Sequence, residues 1–228
     1  MRNKLTIVFA LFFMFSSILL IGQSRNVDNF HAVSISSGIT AKLVKSNSPK
    51  VEYTIKKGSD EDLITKVKNG VLYVKTKSKM GWGNSVQVDV TVHYTNLDDI
   101  EVSSGCTVKS EGTITSNSLD IEVGSGSTAH FEIEADEVDA DVSSGSTLKL
   151  KGKASKGDFE AASGSTLNAD HLIIDDADVE ASSGSSVFIH VNNRLDASAA
   201  SGSAIYYTGD VKIKNIDAGW SGSVTRKG

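Results

Sequence analysis

Proline occurs once in this chain of 228 residues, at position 49, and cysteine once, at 106. A lone cysteine rules out an internal disulfide, so the fold must stand on packing alone. The near-absence of proline leaves long stretches free to keep unbroken backbone ladders. No stretch shows a sustained helical period. Basic charge is scarce in the second half: residues 98–228 carry an excess of 12 acidic side chains, whereas 23–97 carry an excess of five basic ones. An acidic half argues against nucleic acid as a partner.

Catalytic signatures are missing too. There is no G-x-S-x-G elbow and no H-E-x-x-H helix. GSGSTA at 124–129 matches a loose dinucleotide fingerprint, but that motif needs a helix behind it, and HFEIEADEV follows with the alternation of a strand. Ser146 and Lys149 fit S-x-x-K, yet residues three apart on a strand point to opposite faces. The five histidines, His31, His93, His130, His171 and His190, fall at different offsets within the repeat described below, and we read them as solvated or turn-facing. Cys106 stands where other copies of that repeat carry serine, as a small residue at a turn. No catalytic residue, metal site or cofactor is therefore expected.

One long hydrophobic run is present. Arg2 and Lys4 precede apolar residues from Leu5 to Ile21, with no acidic residue among them. This has the form of a secretory signal peptide cut near Gly22 or Gln23, the rival being a retained anchor close to the ~18-residue minimum for a span. No cysteine follows the run to accept a lipid. After cleavage the chain is expected to have no integral membrane span and to lie in the periplasm, on the outer surface or outside the cell.

The dominant feature is a repeat. SSGCT at 103–107 returns as GSGST, SSGST, ASGST, SSGSS, ASGSA and WSGSV, centred on Gly105, Gly126, Gly145, Gly164, Gly184, Gly202 and Gly222. Five residues before these glycines stand Ile100, Ile121, Ala140, Phe159, Val179 and Ala197. Three before stand Val102, Val123, Val142, Ala161, Ala181 and Ala199, with a mostly acidic column between. Three after come Val108, Ala129, Leu148, Leu167, Val187 and Ile205. This is the period of strands with one buried face. Each repeat reads as strand, Ser-Gly-Ser corner, strand and a variable segment. A unit of about 20 residues cannot bury its own apolar face, so neighbours must stack into a parallel β-helix. At the corner, glycine accepts positive φ or a tight backbone approach, and its serines can form a polar ladder from coil to coil.

Residues 23–97 are less regular and are expected to cap one end of the solenoid formed by 98–228, with 1–22 as the signal. The segment 30–43 carries a divergent SSG. Strand alternation marks 51–55, 71–75 and 86–94, Asn69-Gly70 is a hairpin signal, and DEDLITK at 60–66 suggests one short helix.

An exported chain with FHAVSISSG at 30–38, VKNGVLYV at 67–74 and then serial S-G-S/T coils resembles the head GIN domain family of putative auto-transporter adhesins, a Bacteroidota-type family. The resemblance covers nearly all of 28–224. It implies an all-β, right-handed parallel β-helix, secretion and an adhesive or surface role, and it carries no catalytic residues with it.

Candidate surfaces follow from the columns. Asp99, Asp120, Asp139, Asp158, Asp178 and Asp196 form one acidic ladder and the glutamate-rich column two residues on forms another. Neighbouring carboxylates ~4.8 Å apart repel by about 0.9 kcal/mol even in water, so the first column is expected to cap turns and the second to have loose affinity for divalent cations. Glu132 and Glu134 should face Lys151 and Lys153 across neighbouring coils. Phe188 and Tyr206 share an outward column, and Trp82 and Trp220 lie near opposite ends of the repeats; all four are candidates for contact with a polysaccharide or surface protein, or for cover by a loop or terminal segment. The functional expectation is a secreted or cell-surface non-enzymatic binding protein, adhesin-like. The alternatives are a polysaccharide lyase or hydrolase, with 170–178 as its nearest candidate site, and a structural envelope protein. Little sequence follows the last SGSV phrase, so self-association through an open coil is a further expectation.

Overall fold

The computed structural model describes residues 22–77 and 85–227. The expected signal segment, up to residue 21, and Trp82 lie outside these residues. The first seven strands are β1 (Gln23–Asn26), β2 (Ala32–Ser36), β3 (Thr40–Lys45), β4 (Lys50–Lys57), β5 (Leu63–Lys68), β6 (Val71–Thr76) and β7 (Gln87–Tyr94). Next come β8 (Asp99–Val102), β9 (Thr107–Val123), β10 (Thr128–Val142), β11 (Thr147–Ala161), β12 (Thr166–Ala181), β13 (Ser186–Ala199), β14 (Ala204–Thr208), β15 (Ile213–Ala218) and β16 (Ser223–Arg226). They join into one 16-stranded sheet wound as a β-solenoid of about seven turns, with coils of about 19 residues.

From β8 onward every strand pairing is parallel and runs from coil to coil. Thr107, Thr128, Thr147, Thr166, Ser186, Ala204 and Ser223 face one another in register. The expected separate strands and variable segment are in fact one long bent strand per coil in β9 to β13, 14 to 17 residues each. A neighbouring coil on each side continues the hydrogen-bond ladder through the bends, so the chain remains a strand where its direction changes.

Both aliphatic columns read from the sequence are interior. Ile100, Ile121, Ala140, Phe159, Val179 and Ala197 are buried, as are Val102, Val123, Val142, Ala161, Ala181 and Ala199. Side-chain volumes compensate between columns: Gly157 lies beside Phe159, whose ring occupies the place a Cβ on Gly157 would take. Close packing requires such compensation, because a void or a clash in one coil is passed to the next.

The corner is a tight turn of a definite kind. Ser144 and Gly145 both have positive φ, 56° and 69°, and the Ser146 amide donates to the Ser143 carbonyl at 3.2 Å. Positive φ at both central residues is the signature of a type I′ turn. Serine in this region costs ~1–2 kcal/mol, and its neighbours offset that cost. The Gly145 amide donates to the Ser163 carbonyl of the next coil at 3.0 Å, and the same bond recurs from Gly105 to Ser125, Gly126 to Ser144, Gly164 to Ser183 and Gly184 to Ser201. Turning both peptide units in this way aligns them with the solenoid axis and carries the ladder around the corner. Of the two roles open to the glycine, positive φ is the one used: a Cβ at Gly145 would meet nothing within 4 Å. Gly222 departs from the set, since it lacks positive φ and its Cβ would lie 2.0 Å from the Ala199 carbonyl oxygen.

The N-terminal part opens the same solenoid. β2 pairs parallel with β8 and β3 with β9, and the Gly38 amide donates to the Ser104 carbonyl at 2.9 Å. Residues 32–45 thus form a coil whose spatial successor begins at residue 99. On its other side lie β6 and β7, also parallel, and β4, β5 and β1 join them by antiparallel pairing. Asn69 and Gly70 form the expected hairpin turn between β5 and β6. The short helix expected over 60–66 is a correction: only Asp60–Asp62 makes a single 3-10 turn, and Leu63–Lys68 is β5. Pairing with β6 supplies those backbone partners and overrides weak local helix preference.

Candidate binding face

The first requirement for a site is side chains that the fold does not consume. The serines after Gly145, Gly164, Gly184 and Gly202 are consumed. Ser146, Ser165, Ser185 and Ser203 are buried and donate their hydroxyls at 2.6–2.7 Å to the carbonyls of Val123, Val142, Ala161 and Ala181 in the preceding coil. Cys106 takes the same inward place, where its sulfur accepts the Ile39 amide at 3.3 Å and burial pushes its thiol pKa up. A buried, protonated thiol is a poor nucleophile. Ser146 points inward while Lys149 is exposed, so the S-x-x-K match has no shared face.

One outward face carries the acidic stripe. Asp99, Asp120, Asp139, Asp158, Asp178 and Asp196 are in register, as are Glu101, Glu122, Asp141, Glu160 and Glu180. Partial burial, followed by neighbouring carboxylates, raises the pKa of Asp99, Asp139 and Asp158; for Glu160 the Asp141 charge is the larger cause. The expected turn-capping role of the aspartates is a correction. From Asp120 onward they lie within strands: Asp158 interacts with the amide of its strand neighbour Phe159, and the side-chain bonds of Asp178 and Asp196 go to Arg194 and Asn215. Among the described residues no group of three or more His, Cys, Asp or Glu side chains is arranged to hold a metal ion.

A second outward face lies just after the corners. Four residues past each glycine stand Lys109, His130, Lys149, Asn168, Phe188 and Tyr206, each facing the next across one coil. Beside them runs a hydroxyl column, Thr107, Thr128, Thr147, Thr166 and Ser186. A groove of about 440 Å³ opens over this face between Lys109 and Asn168. Its carboxylates already have partners: Glu132 meets Lys151 at 2.7 Å and Thr113 at 3.0 Å, and Asp170 is bonded to His171. Lys109 and Lys149 have no carboxylate partner among the described residues. Burial, then Lys149 and Lys109, lowers the pKa of His130 and favours its neutral form.

The aromatic candidates separate. Phe188 and Tyr206 stack with ring centroids 5.1 Å apart and an interplanar angle of 14°, and Lys227 of the terminal segment sits 4.5 Å from both centroids. Trp220 is 91% exposed at the last corner and joins no ring contact among the described residues. The structure therefore does not gather the three into one platform.

A family model described as putative auto-transporter adhesin, head GIN domain, matches residues 29–210. The chain belongs to this family. No curated protein matches the sequence. Among solved structures, the head GIN chain resembles a putative adhesin from Bacteroides fragilis with a TM-score of 0.83 at 16% identity. It also resembles two proteins from Parabacteroides distasonis at 17% identity: a putative adhesin with a TM-score of 0.70 and a putative lipid binding protein with 0.66. Each alignment covers 91% of this chain and 96% of the other. At these identities the likeness concerns the fold.

The histidines of this head GIN chain are tied individually. His31 meets Asp98 at 2.8 Å, and His190 meets the Thr208 hydroxyl at 3.0 Å. His93 is a correction to the solvated reading: its side chain is only 15% exposed, flanked in the sheet by Val44 of β3 and Lys50 of β4, and it lies 3.1 Å from Glu52 without hydrogen-bond alignment. At 170–178 the coil register does break, and Asp175 and Asp176 line a cavity with Lys156 and Lys212 from adjacent coils. Asp176 accepts the Asn193 amide at 2.6 Å, and neither Asp175 nor Asp176 belongs to the acidic stripe. The cationic half of the second face went unread in the sequence, although its signal was available: Lys109, His130 and Lys149 occupy the same offset as Phe188 and Tyr206.

Proposed function

We propose that this head GIN protein is an exported, non-enzymatic binding protein that contacts polysaccharide or protein at a cell surface through the long faces of its solenoid. The observation that carries the reading is the family match over most of the chain, joined to faces whose outward side chains repeat coil after coil without converging. A face of that kind suits an extended partner, which can gain many small contacts in register, better than a small substrate held at one point. Among the described residues no helix is long and apolar enough to cross a membrane. Export itself rests on the basic and apolar character of the first 22 residues.

The test combines glycan and protein arrays with polysaccharide turnover assays on the chain from Gln23 onward. Binding without turnover supports the reading. Turnover that disappears in Asp175→Asn or Asp176→Asn would make the register break an active site and replace it.

A further inference from the structure

We propose that the groove over Lys109, His130, Lys149 and Asn168 binds an anionic polysaccharide of the uronate class, its chain running along the solenoid axis and its carboxylates meeting Lys109 and Lys149. This assignment rests on the binding-protein reading above and narrows it to one face and one ligand chemistry.

Charge is the first argument. Among the lysines around this face, Lys42 meets Glu111, Lys151 meets Glu132 and Lys153 meets Glu134. Lys109 and Lys149 stand two coils apart in a single column and share one groove, and among the described residues neither meets a carboxylate, in the half of the chain where acidic residues exceed basic ones by 12. The groove's own carboxylates, Glu132 and Asp170, are engaged with neighbours and leave the two ammonium groups uncompensated. His130 between them, held toward its neutral form, adds no third positive charge and offers hydrogen bonding instead.

Spacing is the second argument. Successive coils repeat at ~4.8 Å, close to the advance per sugar in an extended glycan, so alternate sugars of a polyuronate place their acid groups at alternate coils. Lys109 and Lys149 are at alternate coils. Thr128, Thr147 and Thr166 are in register beside them and Asn168 closes the row, which supplies hydrogen-bonding groups for sugar hydroxyls. A nucleic acid duplex fits worse: with one charge per ~1.7 Å of axis it would be repelled by the acidic stripe of the same coils.

The test uses the chain from Gln23 onward with polygalacturonate, a neutral galactan, heparin and vesicles containing anionic phospholipid. Titration calorimetry should show binding to polygalacturonate that weakens with added salt and exceeds binding to the galactan. Lys109→Gln combined with Lys149→Gln should weaken it about tenfold or more, since two charge-assisted contacts are lost. Lys75→Gln, exposed on β6, should leave it unchanged, with circular dichroism confirming that each variant is folded. Equal binding to the galactan, retained affinity in the double variant, preference for heparin or the vesicles, or no glycan binding would each overturn the assignment. In the last case, a protein ligand found on the array would leave the broader function standing, whereas polygalacturonate turnover would sink that function as well.

Discussion

Substituting Gly157 by alanine tests whether the coils are stacked in the register described. Gly157 lies in the buried column of Leu119, Val138, Ala177 and Leu195, next to the column of Ala140, Phe159 and Val179. A methyl group there would sit 2.1 Å from Cε2 and 2.6 Å from Cζ of Phe159. Phe159 is 0% exposed, so its ring has no path to solvent and must push into the coils on either side. Overpacking of this sort costs about 1–3 kcal/mol. Phe159→Ala alone should cost ~3–5 kcal/mol through lost burial and the cavity left behind. In the double variant the new methyl occupies part of the vacated space, so the combined loss should fall short of the sum by ~0.5–3 kcal/mol. Urea unfolding, followed by far-ultraviolet circular dichroism and by near-ultraviolet circular dichroism of the buried Tyr53, Tyr94 and Tyr207, gives the four stabilities if the two transitions coincide. Strict additivity, or no penalty for Gly157→Ala, would refute the placement of the ring over Gly157 and with it the alignment of neighbouring coils.

Changing Lys151 and Lys153 together to Glu replaces two cross-coil ion pairs at 2.7 and 2.8 Å with like charges. The pairs are exposed, so the melting temperature should fall by only a few degrees, from ~0.2–1 kcal/mol per pair, and high salt should shrink the difference; an unchanged melting point counts against the pairing. Ser165→Ala removes a buried hydroxyl that bonds the Val142 carbonyl at 2.7 Å and should cost ~0.5–1.5 kcal/mol in urea unfolding. Ser165→Cys should cost less, as the thiol of Cys106 is accepted at that place; equal losses for the two would show that the hydroxyl's fit is not what matters. The acidic stripe also sets a pH response. Asp99, Asp139 and Asp158 have folded-state pKa values above the ordinary 3.8, so the folded chain holds protons more readily than the unfolded one and gains stability as pH falls through that raised range. Glu52, lowered from 4.5 by Lys50 and His93, contributes stability above that value which is lost as pH falls through its folded pKa. Melting temperature should therefore hold or rise on mild acidification from neutrality before dropping in stronger acid, and a steady decline from neutrality would contradict the raised carboxylates.

The core was legible to the residue from Ile100 onward because a period of two on a stacked strand leaves each side chain only one buried or one exposed choice. Glu132 and Glu134 opposite Lys151 and Lys153 were legible for the same reason, since a fixed repeat length makes sequence offset equal to spatial column. Other features were not. Positive φ at Ser144 and its equivalents is hidden because serine has no strong preference for that region, and only the ladder through the neighbouring corner makes it favourable. The strand at 63–68 was hidden by its acidic, helix-like start. The free cations of the binding face are visible as residues but not as free, because pairing depends on which coil lies alongside.

By itself, then, the sequence determined the repeat, the parallel stacking it requires and the columns that become core, corner and surface, all of which follow from local periodicity. Tertiary structure decided that the coil of residues 32–45 docks onto the coil whose corner lies 67 residues beyond its own, since closing so long a loop is favoured only by the pairing it completes. It also decided which charges on the outward columns neutralise one another and which, as with Lys109 and Lys149, stay available to a partner, because Coulomb energy depends on distance in space and the chain order does not supply it.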